Sequence, residues 1–174
     1  MLLGILADTH DEVARTRAAI ALLRGAGAAA LVHCGDLASP AIVGLLGGLP
    51  SWFVLGNHDA DRLPDLERAA RAAGVGCLGW GGVVDVGGRR VGVVHGHLRA
   101  DLRRVLAEAP DFLLSGHSHI PAAWDDGPTR RINPGALHRA DEFTVALLDL
   151  PTGAARFLNL SGSEAADGLG VGAH

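Results

Sequence analysis

The chain has 174 residues, a formal charge of −4 and 48% apolar residues, which suits one domain with a single sizeable core and offers no basic surface for coating nucleic acid. All fifteen basic residues are arginine, which excludes Schiff-base and pyridoxal chemistry and the lysine of a phosphate-binding P-loop. Cys34 and Cys77 are too few for a disulfide framework or a cysteine zinc site and fit a reducing, cytoplasmic setting.

Met1 to Ala7 is an apolar run without a basic leader; it reads as a first strand that meets Asp8 at once. No apolar stretch approaches the roughly 20 residues of a membrane span, so no membrane association is expected. Glu12 to Arg24 carries helical spacing at Val13, Ile20 and Leu23 and stops before Gly25 and Gly27. Ala30 to His33 is a second strand ending in Cys34-Gly35-Asp36. Ser39-Pro40 has the form of an N-cap followed by proline, opening a helix to about Leu46. Trp52 to Leu55 is a third strand ending in Gly56-Asn57-His58-Asp59.

Polar residues immediately after each strand are the pattern of an α/β domain that gathers its ligands beyond the carboxyl ends of its strands. A helix over Pro64 to Ala73 precedes short strands over Gly76 to Leu78, Val83 to Val86 and Val91 to His95. A helix over Ala100 to Ala109 leads to the strand Phe112-Leu113-Leu114, which ends in Ser115-Gly116-His117-Ser118-His119. Thr129 to Ile132, Phe143 to Leu148 and Ala154 to Leu158 complete the strands, and residues 161–174 read as a flexible glycine-rich tail beyond a domain over 1–160. Gly74 to Gly79 satisfies G-x-G-x-x-G, but it follows a helix and leads into strands, the reverse of a dinucleotide fingerprint.

Six of the nine histidines fall in the strand-end segments. Asp8 and His10 are two apart and can reach one ion; Asp36 has two oxygens and can bridge two; Asn57 offers a neutral oxygen; His95, His117 and His119 offer nitrogens. Singly, each is ambiguous, because an aspartate after a strand often only caps a turn. The ordered series is what points to divalent metal. Two carboxylates and a bridging hydroxide against two divalent ions leave about +1, which favours an anionic substrate such as a phosphate ester.

The order D-x-H, G-D, G-N-H-D, H-G-H, G-H-x-H, then Asn133-Pro134-Gly135, resembles the calcineurin-like metallophosphoesterase family, in particular its small single-domain phosphodiesterases. The resemblance runs from residue 1 to about 160. It implies an α/β fold, a four-layer α-β-β-α sandwich with two mixed β-sheets. It also implies a binuclear centre, with Asp8, His10, Asp36 and His119 on one ion and Asp36, Asn57, His95 and His117 on the other. His58 is then free to assist the departing oxygen while a metal-bridging hydroxide attacks phosphorus. Many of the smallest relatives have cysteine in place of His58, and a serine is common in place of Ala136.

Mn²⁺ is the metal expected, with Fe²⁺, Zn²⁺, Co²⁺ and Ni²⁺ compatible with the same donors. His97 and Arg139 are candidate substrate contacts. His97 serves equally as a histidine that orients a ligand, and His138 and Arg139 equally as surface residues. His33 reads as a buried structural histidine, and Asp59 either orients His58 or caps the next turn. The expected partner is a small phosphate ester, nucleic acid is disfavoured, and a homodimer follows from the resemblance. The alternatives are a phosphomonoesterase or nucleotide pyrophosphatase, which needs further cations such as Arg139 or Arg99, and a non-catalytic scaffold like the retromer subunit of this fold. Relatives of the latter kind have lost the Gly-Asp and Asn-His positions, which are intact here.

Overall fold

Short strands that are apolar along their length, such as those over 2–6, 28–33 and 144–149, demand cover on both faces, and the chain supplies it with two sheets and two helical layers. The computed structural model describes residues 1–161, so residues 162–174 of the expected tail lie outside the described residues. The first sheet contains β1 (Leu2–Leu6), β2 (Ala28–His33), β3 (Ser51–Phe53), β4 (Gly76–Cys77), β10 (Thr144–Asp149) and β11 (Ala154–Asn159). Its order is β11-β10-β1-β2-β3-β4. The second contains β5 (Gly81–Val86), β6 (Arg89–Val94), β7 (Phe112–Leu114), β8 (Ala122–Asp126) and β9 (Thr129–Asn133) in the order β5-β6-β7-β9-β8. Both are mixed: β1 pairs parallel with β2 and antiparallel with β10, and β6 pairs antiparallel with β5 and parallel with β7.

The strand period sorts side chains between layers. Leu3 and Ile5 of β1 and Val91 and Val93 of β6 face the inter-sheet core, with Phe112, Leu114 and Leu148. Leu6 and Leu31 face the opposite way, against Ile20 and Leu23 of α1 (Val13–Gly25), Ile42 of α2 (Pro40–Leu45) and Leu66 of α3 (Leu63–Ala73). Val94 and Leu113 pack under Val105 of α4 (Arg99–Leu106). The result is the expected four-layer α-β-β-α sandwich. Each fully buried Leu or Ile contributes about 1.5–3 kcal/mol to it.

Every expected helix and strand is present, with ends shifted by a few residues. One strand escaped the sequence reading: β8, whose Ala-Ala-Trp-Asp-Asp has no apolar alternation. It is an edge strand paired only with β9 through a turn at Gly127, and its acids are spent on arginines of β9, Asp125 on Arg130 and Asp126 on Arg131. Ser39 does occupy the N-cap of α2, yet its side chain makes no cap bond. Its hydroxyl donates instead to the Asp11 carboxylate, which ties α2 to the loop after β1.

His33, at the end of β2, is fully buried. Its Nδ1 accepts from the Gly35 N–H at 3.2 Å, so Nε2 carries the proton and donates to Thr9 Oγ1 at 3.0 Å. The Thr9 hydroxyl donates onward to the Asp36 carbonyl. A neutral ring thus locks the loops after β1 and β2 together, as the structural reading of this residue required. Burial lowers its pKa from 6.5 to about 3.

Between pH 6.5 and about 3 the unfolded chain binds a proton at this site that the native chain refuses. The contribution is therefore whole above pH 6.5 and is lost on acidification. In urea denaturation of the metal-free protein, H33N is expected to flatten the fall of unfolding free energy across that window by about 1.4 kcal/mol per pH unit. Identical slopes in the two proteins would contradict this.

Candidate metal centre

The carboxyl ends of β1, β2, β3, β6 and β7 all open toward one cavity of about 360 Å³. Of the expected residues, His10, Asp36, Asn57, His58, His117, His119 and Arg139 line it, joined by His138. Asp8 and His95, fully buried, lie directly behind this lining, with Asp8 Oδ1 3.3 Å from His119 Nε2 and His95 Nε2 3.4 Å from Asp36 Oδ2. Ligand atoms of Asp8, His10 and His119 lie within 4.8 Å of one another, as do those of His10, Asp36 and His58, and those of Asp8, Asp36 and His95.

The loops that carry these groups are bent in an unusual way. Asp8, His10, Asp36, His117 and His119 all have left-handed backbone, with φ between 43° and 69°. Asp and His tolerate this region better than most residues, though at a cost, and such strain gathers at functional sites. Here it turns side chains back over the strand ends. Two motif glycines allow the loops to touch. A Cβ on Gly56 would collide with the Asp36 carboxylate, and one on Gly116 would come within 2.7 Å of Asp8 Oδ2.

Asp59 neither orients His58 nor merely caps a turn. Fully buried, it accepts from the N–H groups of Gly56 (2.8 Å), Leu37 (3.2 Å) and Ala38 (2.7 Å), stapling the loop after β3 to the loop after β2. Asn133 does the same elsewhere: its Nδ2 donates to the Gly116 carbonyl at 2.8 Å and to Ser118 Oγ at 3.0 Å. Neither role was visible locally, because the partners are fifteen or more residues away except for Gly56.

The donor set suits divalent cations. Asp8 Oδ1 is buried and has no hydrogen-bond partner. It faces His119 Nε2 at 3.3 Å and His95 Nε2 at 4.0 Å. The other nitrogen of each ring meets a backbone carbonyl, Arg139 O at 3.4 Å and Cys34 O at 2.9 Å. With Nδ1–H so used, each Nε2 presents a lone pair to a carboxylate oxygen. Lone pairs that converge in this way repel until a cation, or a proton in its stead, lies between them.

The acid–base balance tells the same story. Burial raises the Asp8 carboxyl to about 6. Burial also works to raise Asp36, but hydrogen bonds from His95 and the His58 N–H (2.9 Å), with the charges of His95 and His10, hold it well below the carboxylate range. Burial pulls His10 down to about 4, against the attraction of Asp36. His95 moves the other way: burial opposes protonation, yet Asp36 and Asp8 outweigh it. The site therefore attracts positive charge strongly.

Two of the expected residues stand apart. The His117 ring lines the cavity 5.1 Å from the His95 ring, but it is outside the three close groups. His97 does not line the cavity; its ring lies between Trp80 at 5.8 Å and His95 at 5.2 Å, and its buried Nδ1 has no partner. Arg139 lines the cavity, whereas Arg99 does not.

Residues 1–153 match the calcineurin-like phosphoesterase superfamily domain. The chain belongs to that superfamily. It is 25% identical over 138 residues to a phosphodiesterase of Methanocaldococcus jannaschii, covering 78% of this chain and 83% of that protein. Its fold is similar to that of a structurally and functionally characterised archaeal phosphodiesterase, with TM-score 0.81, 23% identity and coverage of 91% and 99% of the two chains. It is also similar to the phosphoesterase YfcE of E. coli, with TM-score 0.70, 22% identity and coverage of 95% and 97%.

Removing the Asp59 carboxylate leaves three loop N–H groups without acceptors. D59A is expected to cost about 2–4 kcal/mol in stability and to weaken divalent-metal binding about 10- to 100-fold, read by urea denaturation and by metal titration calorimetry. Unchanged metal affinity would show that the staple does not shape the site.

Proposed function

We propose that this protein is a cytoplasmic, binuclear metal-dependent phosphodiesterase acting on small phosphate esters. The observation that carries the reading is the orphaned Asp8 Oδ1 facing the Nε2 atoms of His119 and His95. On this reading Asp8, His10, Asp36 and His119 hold one ion and Asp36, Asn57, His95 and His117 the other, with Mn²⁺ as the working metal. Such ions supply Lewis-acid activation of water and neutralise charge at phosphorus.

The remaining work falls to the chain. Asp36 Oδ2, 3.3 Å from His10 Nε2 and 3.4 Å from His95 Nε2, is placed to be shared. The exposed His58 is held by its backbone N–H on Asp36 Oδ1 and lines the cavity, where an imidazole can give a proton to a departing oxygen. Among the described residues, Arg139 is the only lining residue with permanent positive charge. One arginine matches the single charge of a diester better than the greater charge of a monoester or pyrophosphate, which favours the diester reading. The presence of Gly35-Asp36 and Asn57-His58, positions expected to be replaced in scaffold relatives, supports an enzyme over a scaffold of the same shape. Among the described residues no helix is long and apolar enough to cross a membrane.

The test compares a bis-aryl diester, an aryl monoester and 2′,3′- and 3′,5′-cyclic nucleotides over Mn²⁺, Fe²⁺, Zn²⁺, Co²⁺ and Ni²⁺. Diester hydrolysis that requires Mn²⁺ and is abolished by chelation is expected. Metal binding with no hydrolysis of any ester would favour the scaffold, and faster monoester turnover would favour the monoesterase.

D36N should nearly abolish turnover, by about 10³-fold or more, through loss of the shared oxygen. H58A should lower kcat about 10²-fold or more with metal content intact. Since His58 approaches His10 and Asp36 within metal-binding distance, an emptied site in H58A, read by elemental analysis, would instead make it a ligand.

A further inference from the structure

One wall of the cavity is not used by the metal reading. The His138 ring lies 4.8 Å from the His10 ring, the same separation as between His10 and His58. Among the described residues no ring contact joins His58 to His138, so the two flank His10 without meeting. His138 belongs to none of the close metal-binding groups.

Its orientation is set from a distant part of the chain. Nδ1 lies 3.3 Å from Oε1 of Glu12, the N-cap residue of α1. Glu12 is 3.4 Å from Arg15 Nη1, and Arg15 also donates to the carbonyl of Leu137, the residue before His138. The Arg15 guanidinium sits 3.8 Å over the Phe143 ring. A surface Glu–Arg pair at this spacing is worth little by itself. This one is anchored on an aromatic face and holds both the carboxylate behind His138 and the backbone beside it.

With Nδ1–H donated to Glu12, Nε2 is the ring nitrogen left for the cavity that His138 lines, and in the Nδ1–H tautomer it is an acceptor. Phosphate oxygens only accept, and in the reading above the metal ions and Arg139 serve them. The natural counterpart of an acceptor here is a hydroxyl on the substrate. We propose that His138 is a specificity-determining residue that accepts a hydrogen bond from a hydroxyl on the retained ester arm of a phosphodiester, as in a glycerol or ribose ester. Glu12, backed by Arg15, is the positioning residue that holds the ring in that tautomer. The retained arm is specified because His58 is assigned to the departing side. The proposal rests on the phosphodiesterase reading.

The test uses two chromogenic diesters with the same nitrophenolate leaving group, one with a 2,3-dihydroxypropyl arm and one with a propyl arm, on Mn²⁺-loaded full-length protein. The native protein should favour the hydroxylated ester about tenfold in KM, the value of about one good hydrogen bond. H138A should bring the ratio to within about twofold, with metal content unchanged. E12Q should lose about threefold of the preference and add nothing in the H138A background. Calorimetric binding of glycerol phosphate and propyl phosphate to the same proteins should follow the same pattern.

An equal preference in native protein and H138A overturns the proposal, as does a fall in metal content in H138A, which would make His138 a support for His10. Additive effects of E12Q and H138A would remove Glu12 from the role. If no diester is hydrolysed with any metal, the phosphodiesterase reading fails, and the binding of the two products still decides the role of His138.

Discussion

Two carboxylates, Asp8 and Asp36, are buried close together beneath a canopy of imidazoles. Buried charge without a partner is costly, and buried like charges more so. The chain meets that cost by making the pocket a place for cations: His95 leans toward protonation under the pull of Asp36 and Asp8, while one oxygen of Asp8 has no hydrogen-bond partner and faces the Nε2 atom of His119. Much of the surrounding architecture follows from holding this arrangement against its own repulsion.

That holding is done by backbone. Five of the proposed ligands adopt left-handed φ, a conformation that the short loops alone would not maintain. They persist because the strands behind them are packed on both faces, with Leu3, Ile5 and Val32 in one core and Leu6 and Leu31 in the other. The loops are also tied to one another by His33, Asp59 and Asn133. Gly56 and Gly116 supply the clearance that lets a loop from one strand rest on the carboxylate of another. Rigid strands, strained loops and buried ties together fix side chains from five strand ends.

The order of strands and helices was legible because apolar runs, glycine stops and the strand-end polar motifs coincide. β8 was not, since it is an edge strand with no buried residue and its last two residues exposed, so neither face demands an apolar period. The candidate ligands were legible because carboxylate, amide and imidazole recur at strand ends in a fixed order. Asp59 stood in plain view within that series, yet its role depends on Leu37 and Ala38, across a loop from another strand. His138 and Glu12 are 126 residues apart, and no local pattern joins them. For His97 adjacency to His95 left two roles open, and its ring centroid lies 5.2 Å from that of His95 and 5.8 Å from that of Trp80.

By itself, the sequence determined the type of chemistry. Asp, Asn and His are the residues able to offer oxygen and nitrogen to divalent ions, and their placement after apolar runs commits them to one end of a sheet. It also excluded lysine chemistry outright. Only the tertiary structure decided which atoms converge and which nitrogen of each ring faces the site. It decided too which unremarked residues, Glu12, Asp59 and Asn133 among them, hold the rest in position. The physical reason is that identity fixes what a side chain can donate or accept, whereas distance and direction are set by strands brought together from remote parts of the chain.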